Sequence, residues 1–148
     1  MIDWTTIDET TRATIRRIVE GCVYGNLATI GTDGLTPRVR PVCAFLEPDF
    51  TILVPSHTAT RKIAEIAANP RVEIVFCDTE HWQVRFRGEA RVETDKAVKK
   101  RLIETTLSPK LWLGFFPRAE HDERFVLYRI HSKSVEWMKE WELAYRTP

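Results

Sequence analysis

No run of this 148-residue sequence approaches the roughly 20 apolar residues that a membrane-spanning helix needs, and the start Met1-Ile2-Asp3-Trp4 lacks the basic and apolar segments of a secretion signal. A soluble cytoplasmic protein without a membrane partner is the expectation. Excess charge is missing as well: 22 Lys and Arg stand against 21 Asp and Glu, a formal net charge of +1. That balance gives no bulk field to attract nucleic acid, so any anion site must be local. Cysteine is scarce. Cys22, Cys43 and Cys77 are odd in number and far apart, giving neither a paired zinc spacing nor a redox motif, and read as reduced thiols. The four histidines, His57, His81, His121 and His131, never fall at i, i+4, so no metal site is expected. A Gly-x-Ser-x-Gly elbow is absent, which sets aside a Ser-His-Asp hydrolase. There is no repeat, low-complexity tract or linker. With 43% hydrophobic residues, positions 1–148 read as a single domain.

What is present is strand alternation broken by short helices. Thr6 to Glu20 reads as an amphipathic helix, with a Thr6/Glu9 capping box, Ile7, Ile15, Ile18 and Val19 on one stripe, and Gly21 at its end. Val23–Ile30 and Arg38–Phe45 read as strands of a hairpin around Gly31-Thr32-Asp33-Gly34. After the turn Glu47-Pro48-Asp49 comes the strand Phe50–Val54, and Pro55-Ser56-His57-Thr58 leads into a helix from about Ala59 to Ala68, ended by Asn69-Pro70. Arg71–Asp78 is a strand with Val72, Ile74 and Phe76 on one face. The clearest period of two follows: Trp82, Val84, Phe86, Ala90 and Val92 alternate with Gln83, Arg85, Arg87, Glu89, Arg91 and Glu93, and Gly88 permits a bend. A helix is expected over Asp95–Thr106, then, after Ser108-Pro109, an unplaced aromatic stretch Leu111–Phe116, and strands over Phe125–His131 and Val135–Trp137. The fold class is mainly β (α+β): a six- to seven-stranded antiparallel split β-barrel with two to three flanking helices.

One segment carries chemistry by residue type. Ser56-His57-Thr58-Ala59-Thr60-Arg61-Lys62 sets three hydroxyls and two cations where a strand enters a helix, whose free N–H groups and dipole favour a phosphate. Cations in a first helical turn oppose that dipole, which suggests an anion to neutralise them. By spacing alone, a solvated helix end capped by Ser and Thr fits equally well. Pro41, inside a strand pattern, marks an edge or a bulge. Gln83 alone reads as a surface amide.

Taken together, Arg40-Pro41-Val42, Thr60-Arg61-Lys62, Asn69-Pro70-Arg71-Val72 and Gln83-Val84 resemble, in order and spacing, the pyridoxamine 5'-phosphate oxidase-related flavin-binding split barrels, over roughly residues 23 to 93. The resemblance implies one FMN per chain. The backbone of Arg40, Pro41, Val42 and Cys43 would pass the ring edge, and Val54, Pro55 and Ser56 would line the ribityl side. Thr60, Arg61 and Lys62 would grip the phosphate, and Gln83 would reach the cofactor from the second subunit of a homodimer. Where the family commonly has Tyr-Thr before the phosphate loop, this chain has Val54-Pro55-Ser56, with one hydroxyl fewer. It also lacks the arginine- and histidine-bearing ending of the vitamin B6 oxidases, so pyridoxamine phosphate is not the expected substrate. The ending is similar to the short general-stress and nitroimidazole-resistance-like members.

The implied activity is an FMN-dependent oxidoreductase acting through flavin N5 on a small molecule, with no acid-base residue assigned and only His57 or Arg40 available to tune the ring. A non-enzymatic flavin carrier or redox and stress sensor is the alternative, as is the same fold holding a deazaflavin or haem. Trp82, Trp112, Phe115 and Phe116 would leave apolar patches on a monomer, which also favours a homodimer.

Overall fold

Capping and alternation account for most of the element boundaries in the computed structural model, which describes residues 1–106 and 109–148. A short 3-10 turn at Trp4–Thr6 precedes helix α1 (Glu9–Glu20). The α1 cap is Asp8, whose carboxylate accepts the Thr11 N–H at 2.9 Å, rather than the expected Thr6/Glu9 box. A charged acceptor directly before Glu9 is a stronger cap than a hydroxyl two residues earlier. The stripe is as expected: Ile7, Ile15, Ile18 and Val19 are all buried.

Strands β1 (Gly25–Ile30) and β2 (Pro37–Val42) form the hairpin, pairing Gly25 with Val42 through Ile30 with Pro37. Asp33 closes the turn by accepting from the backbone of Leu35 and Thr36, and Gly34 takes the positive φ of 75° that the turn needs. The expected strand Arg38–Phe45 is divided: β2 ends at Val42 and a two-residue β3 (Phe45–Leu46) begins after Cys43 and Ala44. Strand β4 (Ile52–His57) runs three residues beyond the expected Val54, and α2 (Lys62–Ala68) starts later than expected. The extension is set by β4 pairing with the last strand, Ile52 to Ile130 through His57 to Phe125, a contact no local pattern encodes. Strands β5 (Arg71–Cys77) and β6 (Trp82–Val92) match their alternation, and α3 (Lys96–Thr105) is capped by Asp95. The stretch around Leu111 is helix α4 (Pro109–Phe115), and Ser108 lies outside the described residues. The last two expected strands are one, β7 (Phe125–Lys139). Four α-helices are therefore described, not two or three.

All seven strands form one antiparallel sheet in the order β2-β1-β5-β6-β7-β4-β3. Its two edges, β2 and β3, are consecutive in the chain. A flat sheet of this width would hold its edges about 29 Å apart at ~4.8 Å per strand, yet the three peptide steps from Val42 to Phe45 span at most about 11 Å. The sheet must therefore curl, which makes it a split barrel. Pro41, as its ring suggests, lies on an edge strand.

The concave side holds the larger core, including Leu27, Ile52, Val54, Ile74, Phe76, Val84, Phe86 and Ile130, with Ile15, Ile18 and Val19 of α1 laid into it. Trp4 stacks on Phe50 at 4.4 Å beside this core. A second core lies on the outer face of β4 and β7, where Leu53, Phe125 and Leu127 meet Leu102 and Ile103 of α3 and Phe116. The expected exposure of four aromatic rings is corrected: Phe116 is 3% exposed, Trp82 and Trp112 are half-buried, and Phe115 remains exposed.

The β6–β7 register slips between Arg87 and Gly88, where Arg87 faces Ser134 and Gly88 faces Ser132. A Cβ at Gly88 would lie 2.1 Å from the His131 carbonyl oxygen, backbone that cannot step aside. Gly88→Ala is therefore expected to cost about 3–5 kcal/mol in urea unfolding. At Gly114 in α4 nothing lies within 4 Å of the added methyl. Gly114→Ala should be neutral or stabilise by up to about 1 kcal/mol. Similar effects for the two substitutions would contradict this packing.

Candidate functional site

Helix α2 is fastened to the hairpin by one buried carboxylate. Glu65 is 4% exposed, and its Oε2 accepts from Thr29 Oγ1 at 2.6 Å and from Arg40 Nη2 at 2.5 Å. Arg40 Nη1 also donates to Thr29 Oγ1 at 2.5 Å and to the Leu27 carbonyl at 3.4 Å. Thr29 is inward-facing because it shares β1's buried parity with Gly25 and Leu27. Burial alone would raise the Glu65 pKa, but the Thr29 hydroxyl and the Arg40 guanidinium outweigh it and hold it below its ordinary value.

Lys62 lies three residues before Glu65, at the start of the same helix. Its half-buried Nζ meets the Thr60 hydroxyl at 3.2 Å, and among the described residues it has no carboxylate partner within 4.0 Å. Burial and, next, the charge of Arg40 push its pKa down, against the opposing pull of Glu65. Thr60 Oγ1 in turn donates to the His57 carbonyl at 2.8 Å. Ser56 is 4% exposed, and its Oγ is buried with no partner among the described residues. Arg61 is exposed and lines a hollow of about 230 Å³ with Gly31, Thr32, Asp33, Arg38 and Glu65.

The structure thus pairs Arg40 with Glu65 and Lys62 with Thr60, and places Arg61 on a hollow that Glu65 also lines. Val42 and Val54 belong to the interior core. Pro55 is buried, Cys43 is half-buried in the link between the sheet edges, and Pro41 is exposed. His57 is committed locally: its Nδ1 accepts the Ala59 N–H at 3.0 Å, and its ring stacks on Phe116 at 5.6 Å. Gln83 stands apart at the start of β6, where its Oε1 accepts from Arg85 and Tyr145. Thr29 and Glu65 escaped the sequence reading. The signal for both was polarity at positions whose period marks them as buried, inward on β1 and beside Ile66 on α2.

The thiols of Cys22, Cys43 and Cys77 are free. Among the described residues no group of three or more His, Cys, Asp or Glu could hold a metal, and no helix is long and apolar enough to cross a membrane.

Residues 11–139 match the sequence family described as pyridoxamine 5'-phosphate oxidase. No curated protein matches the chain. Among solved structures it is similar to a Clostridium acetobutylicum protein related to general stress protein 26 of B. subtilis, with a TM-score of 0.73 and 17% identity, covering 95% of this chain and 96% of that one. General stress protein 26 from Bacillus anthracis gives a TM-score of 0.72 and 21% identity over 93% and 98%. A haem binding protein from Mycobacterium smegmatis gives 0.72 and 16% over 96% of this chain and 60% of that one. At these identities the structural likeness shows the fold.

The Arg40–Glu65 pair makes a stability prediction. Arg40→Met leaves a buried carboxylate without its cation and should cost about 3–5 kcal/mol at neutral pH. Because the folded Glu65 pKa is depressed, its stabilisation is present above the unfolded value and is lost as pH falls through the folded one. Unfolding free energies measured from about pH 6 down to about pH 3 should therefore fall less steeply in Glu65→Gln than in the wild type. Parallel curves would refute the assignment.

Proposed function

We propose that this chain, which belongs to the pyridoxamine 5'-phosphate oxidase family, binds flavin mononucleotide and acts as a flavin-dependent oxidoreductase on a small molecule. The observation that carries the reading is Lys62, a half-buried ammonium whose nearest partner is a hydroxyl, while the neighbouring Arg40 is already neutralised by Glu65. Holding an ammonium partly out of water without a counter-charge is costly, and a phosphate beside it offsets that cost. The donor set fits: Lys62 and Arg61 supply charge, and Ser56 supplies a hydroxyl without a partner among the described residues, while the Thr60 hydroxyl, its proton given to the His57 carbonyl, steadies the Lys62 ammonium.

In this reading Lys62 and Arg61 hold the phosphate with Thr60 Oγ1 anchoring the Lys62 ammonium beside it, the β4 backbone at Val54 and Pro55 together with Ser56 borders the ribityl chain, and the backbone of Arg40, Pro41, Val42 and Cys43 borders the ring. When bound, the flavin supplies hydride acceptance and return at N5. Arg40 and His57 serve as structural fixtures: the guanidinium is held by Glu65 and Thr29, and the imidazole by Ala59. A homodimer fits the outer sheet face, where Val39 is 67% exposed beside Ala28 of β1. The partner's copy of this face would bring Gln83 to the cofactor.

The purified protein should take up FMN near one to one and bind riboflavin much more weakly. Changing Arg61 and Lys62 together to Gln should weaken FMN at least 100-fold in a fluorescence titration, since two charge-assisted bonds are lost. Riboflavin affinity and apo melting temperature should hardly move, because neither Arg61 nor Lys62 has an ion pair among the described residues to lose. Equal losses for FMN and riboflavin would sink the phosphate assignment. A Soret band in place of flavin absorbance would sink the cofactor.

Light scattering should report a dimer for the flavin-loaded protein. A flavin-loaded monomer would refute the shared site.

A further inference from the structure

The C-terminal segment returns alongside β7. Main-chain bonds between Trp137 and Arg146, at 3.0 and 2.8 Å, hold it against β7. The Arg146 guanidinium sits 5.2 Å from the Trp82 ring, and that of Arg85 lies 4.6 Å from the Tyr145 ring. These contacts deliver the Tyr145 hydroxyl to Gln83.

Hydrogen-bond direction at this point is fixed by chemistry. Arginine only donates. Arg85 Nη2 lies 2.5 Å from Tyr145 Oη and 3.1 Å from the oxygen of the Gln83 side chain. Tyr145 Oη, having accepted from Arg85, has one proton to give, and it lies 3.3 Å from that same Gln83 atom. Two donors converge there, so the atom must be the carbonyl oxygen. The amide nitrogen is thereby turned the other way, and it has no hydrogen-bond partner among the described residues. Gln83 lies between Cys77 and Met138 on the neighbouring strands, on the sheet face outside the core.

We propose that Tyr145 is a positioning residue: together with Arg85 it donates to Gln83 Oε1 and so orients the side-chain amide so that only N–H donors face a bound ligand, which selects a hydrogen-bond acceptor there, an oxygen of the flavin. The inference rests on the flavin reading above. It assigns the C-terminal segment a part in the site that residue type alone does not suggest, because Tyr145 acts through Gln83.

Two measurements on the full chain test it. In proton–nitrogen correlation spectra of the apo protein, the Gln83 side-chain amide pair, identified by its loss in Gln83→Ala, should move toward the position of a free glutamine in Tyr145→Phe. In FMN titrations, Tyr145→Phe should bind about five- to tenfold more weakly than wild type, as expected for one hydrogen bond. Gln83→Ala should lose a similar factor, and the double variant should be no weaker than Gln83→Ala alone. Gln83→Glu, which offers acceptors only, should bind more weakly than Gln83→Ala. Additive losses, an unmoved amide pair, or FMN affinity unchanged in Tyr145→Phe would each overturn the proposal. A wild type that takes up no FMN would overturn the flavin reading instead, and the amide pair would still decide whether Tyr145 orients Gln83.

Discussion

Everything in this molecule depends on a link of two residues. Cys43 and Ala44 join β2 to β3, the opposite edges of a seven-stranded sheet, and no flat arrangement can satisfy so short a tether. Curling creates the concave interior, and α1 fills it with Ile15, Ile18 and Val19. The same curl brings the edge strand β2 into the neighbourhood of α2, so that Arg40 can reach Glu65. A backbone length limit thus sets both the barrel and the electrostatics of its candidate site.

Those electrostatics divide the work among neighbouring cations. Arg40 is spent on Glu65, in a pair that only a low-dielectric setting with a third partner, Thr29, makes tight. Lys62 is left half-desolvated with a hydroxyl. Were Glu65 absent, both cations would compete for any anion, and α2 would lose its anchor to β1. The buried carboxylate therefore has a dual effect, holding the helix in place and leaving the next cation uncommitted.

Local chemistry made much of this legible in the sequence. The Val72, Ile74, Phe76 and Val84, Phe86, Ala90 alternations, the Asp95 and Asn69-Pro70 helix boundaries and the Ile15, Ile18, Val19 stripe are short-range patterns, and they appear as expected. What was not legible is long-range. The break at Cys43 obeys a closure that needs the whole strand order, and the extension of β4 through His57 is dictated by β7, some seventy residues later. In the site, Arg40, Thr60 and Lys62 were named from motif and residue type. Glu65 was not, because a glutamate in a helix ordinarily reads as solvated until the curl of the sheet is known.

The pairing of β4 with β7 also orders events during synthesis. Apart from the two-residue β3, β4 finds its hydrogen-bonding neighbour only in residues 125–130, some seventy residues later. Until those residues leave the ribosome, Ile52 and Leu53 have one side of their backbone unpaired and Val54 has no strand partner, and the loop of Ser56 to Lys62 hangs from a strand that is not yet fully in a sheet. Contacts of such sequence separation form late and slowly. A chain cut short before β7 therefore leaves the segment Ser56 to Lys62 without the sheet neighbour that holds the strand it follows.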